Sequence, residues 1–226
     1  MTDHKEVKVN VDTVLLTLMD GILHVALAPR GADYLHGELA LVGAIMDGDD
    51  DDLESVVVRS LRDKAGLEDV YFEQLYTFSG KNTKHGKRRD HRWPSVSVAY
   101  IALVPLEKMT GENALAHGLS LHPVDKVIEL PFDHNDIIDM AVARLRGKGA
   151  WSVLPAYLLP DEFTMTELHD VYTKVLGQGI DRANFRRKAI ENRMIESVGK
   201  KQIDTGYRPV EYFRIMGGVS TVDIKF

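Results

Sequence analysis

The 226-residue sequence contains no cysteine. This absence excludes disulfide bonds, thiolate metal sites and a cysteine nucleophile, and it is typical of proteins that work in a reducing compartment. Long apolar segments are also missing: no uninterrupted run approaches the roughly 20 residues that cross a bilayer, and the first ten residues are rich in charge. We therefore expect a cytoplasmic protein that does not enter a membrane.

Acidic and basic residues are unevenly distributed along the chain. The formal net charge is −6, and an even spread of negative charge would argue against nucleic acid as a partner, because binding to phosphates needs a basic surface. Residues 161–226 are nearly neutral, however, and residues 177–208 carry eight Lys and Arg against four acidic side chains. This asymmetry, in a chain long enough for two small domains, indicates two separate functions.

The first part of the chain alternates strand and helix signals. Runs rich in Val, Leu and Ile predict strands at residues 7–18, 21–28, 70–78 and 96–104, and residues 38–45 form another short apolar run. The dipeptide Asp20-Gly21 favours a tight turn, which makes the first two strands a hairpin. Apolar residues at helical spacing predict helices at 53–65 and 136–145. These elements indicate a compact α/β domain.

Prolines divide this region from the rest of the chain. Pro155 and Pro160 lie where the charge balance changes, and prolines at this spacing interrupt periodic structure. We therefore place a domain boundary here, with one domain at residues 1–154 and a second at 155–226.

The second domain has the signals of a winged helix-turn-helix. Thr164 and Glu167 form a capping box, which predicts a helix from Thr164 to Gly177. After a four-residue turn, Asp181 caps a second helix that runs to about Asn192, so the two helices must pack at a steep angle. Segments 195–202 and 210–215 can then pair as a basic hairpin.

The second helix presents polar and basic side chains opposite its apolar side, which we assign to Phe185, Ala189, Ile190 and Met194. Asn184 and Arg187 are candidates for base contacts, because Asn pairs with adenine and Arg with guanine in the major groove. The alternative is a solvated basic face with no ligand. Arg186 points toward the apolar side and either packs there or reaches a phosphate. The full set of candidate DNA-binding residues is Thr164, Thr166, Arg182, Asn184, Arg186, Arg187, Lys188, Lys200, Lys201 and Arg208.

The first predicted helix resembles the Nudix box, whose glutamates hold the divalent metals that activate water for diphosphate cleavage. The match begins at Gly43 and continues through residues 59–67, although Ser60, Asp63 and Lys64 replace the three glutamates of the helix. Mg²⁺ prefers carboxylate oxygens, so a hydroxyl and an ammonium in place of two carboxylates remove ligand charge and add repulsion. We expect no catalytic residues, no metal site and no efficient hydrolysis.

Other blocks resemble the Nudix-related transcriptional regulators of NAD metabolism. They follow that family's order over nearly the whole chain: Tyr76-Thr77-Phe78, Arg89-Asp90-His91-Arg92, Ser97-Val98-Ala99-Tyr100, Phe132-Asp133-His134, Leu159-Pro160-Asp161-Glu162-Phe163-Thr164, Asn184-Phe185-Arg186-Arg187-Lys188 and Gly206-Tyr207-Arg208-Pro209. The departures are His91, where the family usually has proline, and one inserted residue in the last block.

This resemblance implies an α/β (α+β) protein, in which a Nudix-like α/β/α sandwich with a mixed sheet precedes the winged helix-turn-helix. It further implies a homodimer that binds double-stranded DNA at a palindromic operator and represses genes of NAD synthesis or salvage. ADP-ribose or a related nucleotide would be the effector that releases the DNA, and no other cofactor is required.

The basic loop 81–92 is the main candidate for effector binding. Its arginines can form two-pronged hydrogen bonds to a diphosphate and Trp93 can stack on a base, whereas the alternative is a solvated loop. For Arg59 the alternative is an ion pair with an acid. The candidate effector-binding residues are Arg30, Arg59, Arg89, Asp90 and Arg92.

Two further hypotheses stay open from the sequence. The first is an active Nudix hydrolase of ADP-ribose with a C-terminal accessory module, against which Ser60 and Lys64 argue. The second is a regulator of the same construction that responds to a different small molecule.

Overall fold

The computed structural model describes residues 6–31, 34–79, 90, 92–202 and 209–217. The chain forms two compact units, one from residues 1–17 and 24–142 and the other from 18–23 and 143–226. The domain limits 1–154 and 155–226 stay a prediction. Within the described ranges, no helix is both long and apolar enough to cross a bilayer.

A mixed sheet organises the first unit. Its strands are β1 (Lys8–Met19), β2 (Ile22–Pro29), β3 (Leu39–Ala40), β4 (Val42–Ile45), β5 (Tyr71–Phe78), β6 (Ser95–Leu103) and β7 (Ser120–Pro123). The main order is β3-β2-β1-β6-β5, and β4 and β7 add to β1 and β2 respectively. β1 and β6 are parallel, while β4 and β5 pair antiparallel with β1 and β6. The predicted mixed α/β sheet is confirmed.

The turn between β1 and β2 follows the sequence prediction. Asp20 and Gly21 adopt φ values of 52° and 73°, which is the left-handed geometry that a two-residue hairpin turn requires and that Asp-Gly favours. The apolar run at residues 38–45 forms two strands rather than one. The segment divides at Leu41, so that β3 pairs with β2 and β4 pairs with β1.

Helix α1 (Leu53–Ala65) has the bounds that the sequence predicts. The Asp52 side chain accepts from the Ser55 main-chain N–H at 2.7 Å, and Gly66 ends the helix with φ of 62°, so both ends are capped by local chemistry. The helix packs its apolar side, formed by Val56, Val57, Leu61 and Ala65, against one face of the sheet. Residues of the opposite sheet face, including Leu16, Leu27 and Ile101, are also fully buried, which explains the continuous apolar runs of these strands.

Short elements that follow β6 in the chain escape the sequence analysis. They are α2 (Leu106–Met109), α3 (Glu112–Ala116), β7 and a 3-10 helix at Val124–Lys126. None is long enough to show a period. Helix α4 (His134–Gly149) extends beyond the predicted 136–145 at both ends.

The second unit contains the predicted winged helix. It consists of β8 (Phe163–Thr164), α5 (Met165–Leu176), α6 (Arg182–Glu191), β9 (Ile195–Lys201) and β10 (Val210–Ile215), with sheet order β8-β10-β9. The capping box is present: Thr164 accepts from the Glu167 N–H at 3.2 Å, and Glu167 accepts from the Thr164 N–H at 2.7 Å. Strand β8 adds to the predicted hairpin.

Aromatic packing forms the core of this second unit. Phe185 of α6 is fully buried and contacts the rings of Tyr172 and His169 edge to face, with ring centroids 5.1 and 5.4 Å apart. The Tyr172 hydroxyl donates to the Ser152 carbonyl at 2.8 Å, and burial raises the pKa of Tyr172 well above its usual value. One of the two prolines at the predicted boundary, Pro155, is part of a 3-10 helix, Leu154–Leu158, that packs against α5.

Candidate effector cleft and nucleic-acid interface

A cleft in the first unit brings together residues that are distant in the sequence. Two cavities of about 440 and 340 Å³ share five lining residues and therefore lie side by side, and we refer to the two together as the cleft. The shared residues are Asp12, Arg30, Gly43, Lys64 and His134. They come from β1, β4, α1, the end of β2 and the start of α4, so only the tertiary fold assembles them.

Four of the five candidate effector-binding residues line the smaller cavity: Arg30, Arg59, Asp90 and Arg92. Arg89 lies outside the described residues. The sequence therefore selects residues of one cavity, although the structure leaves their proposed role in binding as a prediction.

Arg30 is held at the rim of the cleft by its neighbours. Its Nε donates to the Tyr34 carbonyl at 3.1 Å, and its guanidinium lies 5.2 Å from the ring centroid of Phe132. Phe132 adopts φ of 58°, a conformation that costs energy for a bulky residue and that occurs most often at functional sites.

Arg59 is engaged by an acid, as one of the two interpretations of the sequence expects. Its guanidinium donates to the two carboxylate oxygens of Asp50 at 2.8 and 2.6 Å. These hydrogen bonds lower the pKa of Asp50 and raise that of Arg59. Arg59 also donates to the Ile45 carbonyl, so it ties α1 to the end of β4 while still lining the cavity.

Arg92 is fixed in position more firmly than a loop residue usually is. The Asp90 carboxylate accepts from its guanidinium and from its main-chain N–H, the latter at 3.0 Å. The guanidinium also lies over two aromatic rings, 5.0 Å from the centroid of Tyr34 and 4.2 Å from that of Trp93. One face of Trp93, which the sequence suggested for base stacking, is therefore covered by Arg92.

The sequence analysis misses Asp12 and His134, which line both cavities. Asp12 accepts a hydrogen bond from the Ser97 hydroxyl at 2.5 Å and lies 3.7 Å from His134 Nε2. The Leu41 N–H donates to His134 Nδ1 at 3.3 Å, so Nδ1 accepts and the proton of the neutral ring is on Nε2, facing Asp12. A signal for Asp12 was present, because a carboxylate within a buried strand requires polar partners.

The residues at the box positions do not fit a divalent metal. The Ser60 hydroxyl is buried and donates back to the Val57 carbonyl, Asp63 pairs with Arg62, and the Lys64 ammonium donates to the Gly43 carbonyl. Across the described parts of the chain, no group of three or more His, Cys, Asp or Glu side chains is placed to hold a metal ion.

In the second unit, α6 carries the candidate DNA-binding cations. Arg187 is 59% exposed and bonds within its own helix to Glu191 and to the Asn184 side chain, both at 2.8 Å. Arg182 is 73% exposed and lies 3.6 Å from Asp170. Lys188 and Asn184 are half-buried.

Two assignments on this helix are refined by the structure. Ile190 is 47% exposed, so its placement on the packed side is wrong. Phe185 and Ala189 form the side of the helix that packs into the core of this unit. Arg186 does pack: its guanidinium lies over the Phe213 ring and pairs with Glu211 at 3.4 Å.

The remaining candidates lie near the hairpin and the start of α5. Lys201 pairs with Glu162 and lies 5.2 Å from the Tyr212 ring, while Lys200 is exposed. Thr164 is used by the helix cap, whereas Thr166 is exposed. Arg208 lies outside the described residues.

Comparison with known proteins places this pair of units in a family. The chain is 30% identical over 217 residues to the ADPR responsive transcriptional repressor NtrR of Acinetobacter baylyi, covering 94% of this chain and 84% of the relative. The chain belongs to the NrtR family. Residues 155–215 match the family model described as the NrtR DNA-binding winged helix domain, the region that contains β8, α5, α6, β9 and β10.

Solved NrtR structures resemble both parts of the chain. Shewanella oneidensis NrtR, complexed with a 27mer DNA, is 31% identical with a TM-score of 0.80, over 92% of this chain and 93% of that one. The NUDIX domain of the same protein, complexed with ADP ribose, is 33% identical with a TM-score of 0.51, over 63% of this chain and 90% of that one. The expected fold class, a Nudix-like domain followed by a winged helix, is confirmed.

Proposed function

We propose that this NrtR family member is a DNA-binding transcriptional repressor of NAD metabolism genes, released from DNA by ADP-ribose or a closely related nucleotide. The observation that carries the proposal is the match of residues 155–215 to the NrtR DNA-binding winged helix domain, together with the capped helix pair in that region. The printed descriptions of its relatives, one ADPR responsive and one complexed with DNA, support both halves of the proposal.

The DNA contact is made by α6 and the hairpin. Arg187 and Asn184 read base edges, Lys188 and Arg182 contact phosphates, and Lys200 and Lys201 reach the backbone. The Arg187 to Glu191 pair is exposed and of i,i+4 type, which is worth about 0.3–0.5 kcal/mol. A two-pronged contact of Arg with guanine contributes about 1–3 kcal/mol of discrimination, so the guanidinium can leave Glu191 for a base.

The effector occupies the cleft of the first unit. Arg30, Lys64 and Arg92 line it, and cations of this kind suit the two charges of a diphosphate. Aromatic rings of Tyr34 and Phe132 lie beside two of these arginines and offer apolar surface to a nucleoside. We assign Arg30, Asp90 and Arg92 to this site, Arg59 to its support, and require no other cofactor.

Hydrolysis is not part of the proposed function. A Nudix hydrolase needs carboxylates that hold a metal, and at the box positions Ser60 and Lys64 bond to main-chain carbonyls instead. A protein that binds ADP-ribose without cleaving it is suited to sensing, because the effector is not consumed by the protein that detects it.

In the proposed function, the protein represses as a homodimer bound to a palindromic operator. It works in the cytoplasm, where it meets the DNA. A dimer must place its two α6 helices about 34–36 Å apart, or a multiple of this, to reach successive major grooves. ADP-ribose releases the DNA only if it binds the free geometry more tightly than the DNA-bound one, by about 1–3 kcal/mol in typical cases.

The test is fluorescence anisotropy of a labelled duplex from upstream of neighbouring NAD metabolism genes, titrated with protein in the presence and absence of ADP-ribose. We expect salt-dependent binding that outcompetes random duplex and weakens with ADP-ribose. Specific binding that ADP-ribose does not weaken would support a DNA-binding repressor and would contradict ADP-ribose as its effector. The absence of specific binding would overturn the repressor, and release of AMP from ADP-ribose with Mg²⁺ would then establish the hydrolase.

A further inference from the structure

One residue of the cleft carries a charge opposite to the one its position requires in an active Nudix box. Lys64 stands where that box has a glutamate, near the carboxyl end of α1. Its side chain does not extend into solvent away from the cleft but lines both cavities. A position that supplies negative charge for a metal therefore supplies positive charge here.

The ammonium is placed by a contact with β4. Lys64 Nζ donates a hydrogen bond to the Gly43 carbonyl, which fixes the end of a flexible side chain. Gly43 is needed for this arrangement, because a Cβ there would lie 2.3 Å from the Val11 carbonyl oxygen and 2.8 Å from Asp12 Oδ1. Strand β4 thus lies close against β1, and its carbonyl meets the Lys64 ammonium at the cleft.

The other groups around Lys64 favour an anion over a metal cation. Arg30, Arg59 and Arg92 line the smaller cavity with it, and the acids of that cavity and its edge are already engaged: Asp90 with Arg92, and Asp50 with Arg59. Asp12 accepts a hydrogen bond from Ser97. These carboxylates offset part of the positive charge, but they already accept hydrogen bonds from the protein, whereas the guanidinium and ammonium groups of the cavity can donate to a phosphate oxygen.

We propose that the Lys64 ammonium contributes, within the cleft, the positive charge that divalent metals contribute in Nudix hydrolases, so that the protein binds a nucleotide diphosphate without metal. A lysine is a compact cation with three donors and is suited to phosphate oxygens. Because Lys64 carries its charge on the chain, effector binding is independent of the Mg²⁺ concentration. The inference rests on the proposed effector site and specifies how that site handles the diphosphate.

Isothermal titration calorimetry of the full-length protein with ADP-ribose tests this, in EDTA and in excess Mg²⁺. We expect wild-type protein to show the same dissociation constant in both buffers. Lys64→Met, which keeps the apolar stem, should bind about 10- to 100-fold more weakly in both, the size expected for one charge-assisted hydrogen bond. Lys64→Glu, which reverses the charge, should bind more weakly than Lys64→Met.

Lys108 provides a matched control. Its Nζ also donates to a main-chain carbonyl, that of Asp69 at 2.9 Å, and it lies outside the cleft formed by the two cavities. Lys108→Met should bind as wild type does. Lys64→Arg, which retains a cation, should keep most of the affinity, and melting temperatures show whether each variant is folded.

The outcomes separate this inference from the proposed function. Loss of wild-type binding in EDTA, or unchanged binding by folded Lys64→Met, overturns the role of Lys64 while retaining ADP-ribose as the effector. A wild-type protein that binds no ADP-ribose in either buffer overturns both. If Lys64→Met does not fold, the comparison of wild type in the two buffers still decides.

Discussion

The carboxylate of Asp90 accepts hydrogen bonds from both the side chain and the main-chain N–H of Arg92, two residues later. These hydrogen bonds orient the guanidinium before any ligand binds, and the guanidinium also lies over the rings of Tyr34 and Trp93. An arginine that is already held in position loses less conformational entropy on binding, so more of the free energy of its hydrogen bonds contributes to affinity. Arg92 is therefore the residue through which the cleft should be tested first.

Replacing Arg92 with Met should weaken ADP-ribose binding by about 10- to 100-fold, because the charged donors are lost. Arg92→Lys should recover only part of this, since an ammonium cannot donate in two parallel prongs or stack on the two rings. Calorimetric titration measures both. Arg214→Met is the matched control, because Arg214 is an exposed, ion-paired arginine that lines neither cavity of the cleft. Unchanged binding by Arg92→Met would remove this residue from the site.

In the winged helix, replacing Arg187 and replacing Lys188 should weaken DNA binding in different ways. Arg187→Ala should cost about 1–3 kcal/mol on the operator and relax its sequence preference, while Lys188→Ala should weaken all duplexes equally and lower the salt slope by about 1. Anisotropy with operator and scrambled duplexes over a series of salt concentrations distinguishes the two. Arg214→Ala serves as control, since Arg214 is an exposed, ion-paired arginine of the same unit. Identical losses on both duplexes for Arg187→Ala would argue against base reading.

Two threonines at the start of α5 allow the stabilising effect of the helix cap to be compared with that of an exposed side chain. Thr164 caps the helix and Thr166, in its first turn, is exposed. Thr164→Ala should lower the free energy of unfolding by about 1 kcal/mol, whereas Thr166→Ala should change it by less than about 0.5 kcal/mol. Urea unfolding followed by circular dichroism measures both, and Thr164→Ser should restore the cap. Equal stability of Thr164→Ala and wild type would show that the capping box does not stabilise α5.

The ion pair between Asp50 and Arg59 should make stability depend on pH. The Arg59 hydrogen bonds, and then one from the Asp47 main chain, lower the pKa of Asp50 in the folded state. The ionised carboxylate therefore stabilises the fold above its unfolded pKa of about 3.9, and this contribution is lost as the pH falls through the lowered value.

Asp50→Asn should accordingly melt at a lower temperature than wild type at pH 7, and the difference should shrink at pH 3. Thermal melts at both pH values measure this. Asp51→Asn, at an exposed position of the same loop, should show no such pattern. A difference between Asp50→Asn and wild type that persists unchanged at low pH would exclude the ion pair as its cause.

The helices that the sequence predicted most accurately are those with local chemistry at both ends. For α1 and α5, a capping box opens the helix and a glycine in the left-handed conformation closes it, so a few adjacent residues set the bounds. The hairpin turn at Asp20-Gly21 was predicted for the same reason. The division of residues 38–45 between β3 and β4 was not, because it depends on which distant strand each half meets.

The candidate effector site divides in the same way. The sequence analysis selected Arg30, Arg59, Asp90 and Arg92 as effector-binding candidates, and these four line one cavity. It did not select Asp12, Lys64 or His134, which enter that cavity from β1, α1 and α4. Their meeting depends on contacts between residues far apart in the chain, such as that of Leu41 with His134, and no local pattern encodes such contacts.

By itself, the sequence determined much of the local structure: its periodicity and caps set the helices and strands, and its charge distribution separated an acidic first part from a basic segment at residues 177–208. These properties depend on residues within one or two turns of each other, so they can be predicted from local sequence. Only the tertiary structure decided that Lys64 bonds to Gly43 and that Arg59 is held by Asp50. These hydrogen-bond partners are set only when strands and helices pack, because packing removes water from charged groups and a nearby polar group must then replace it.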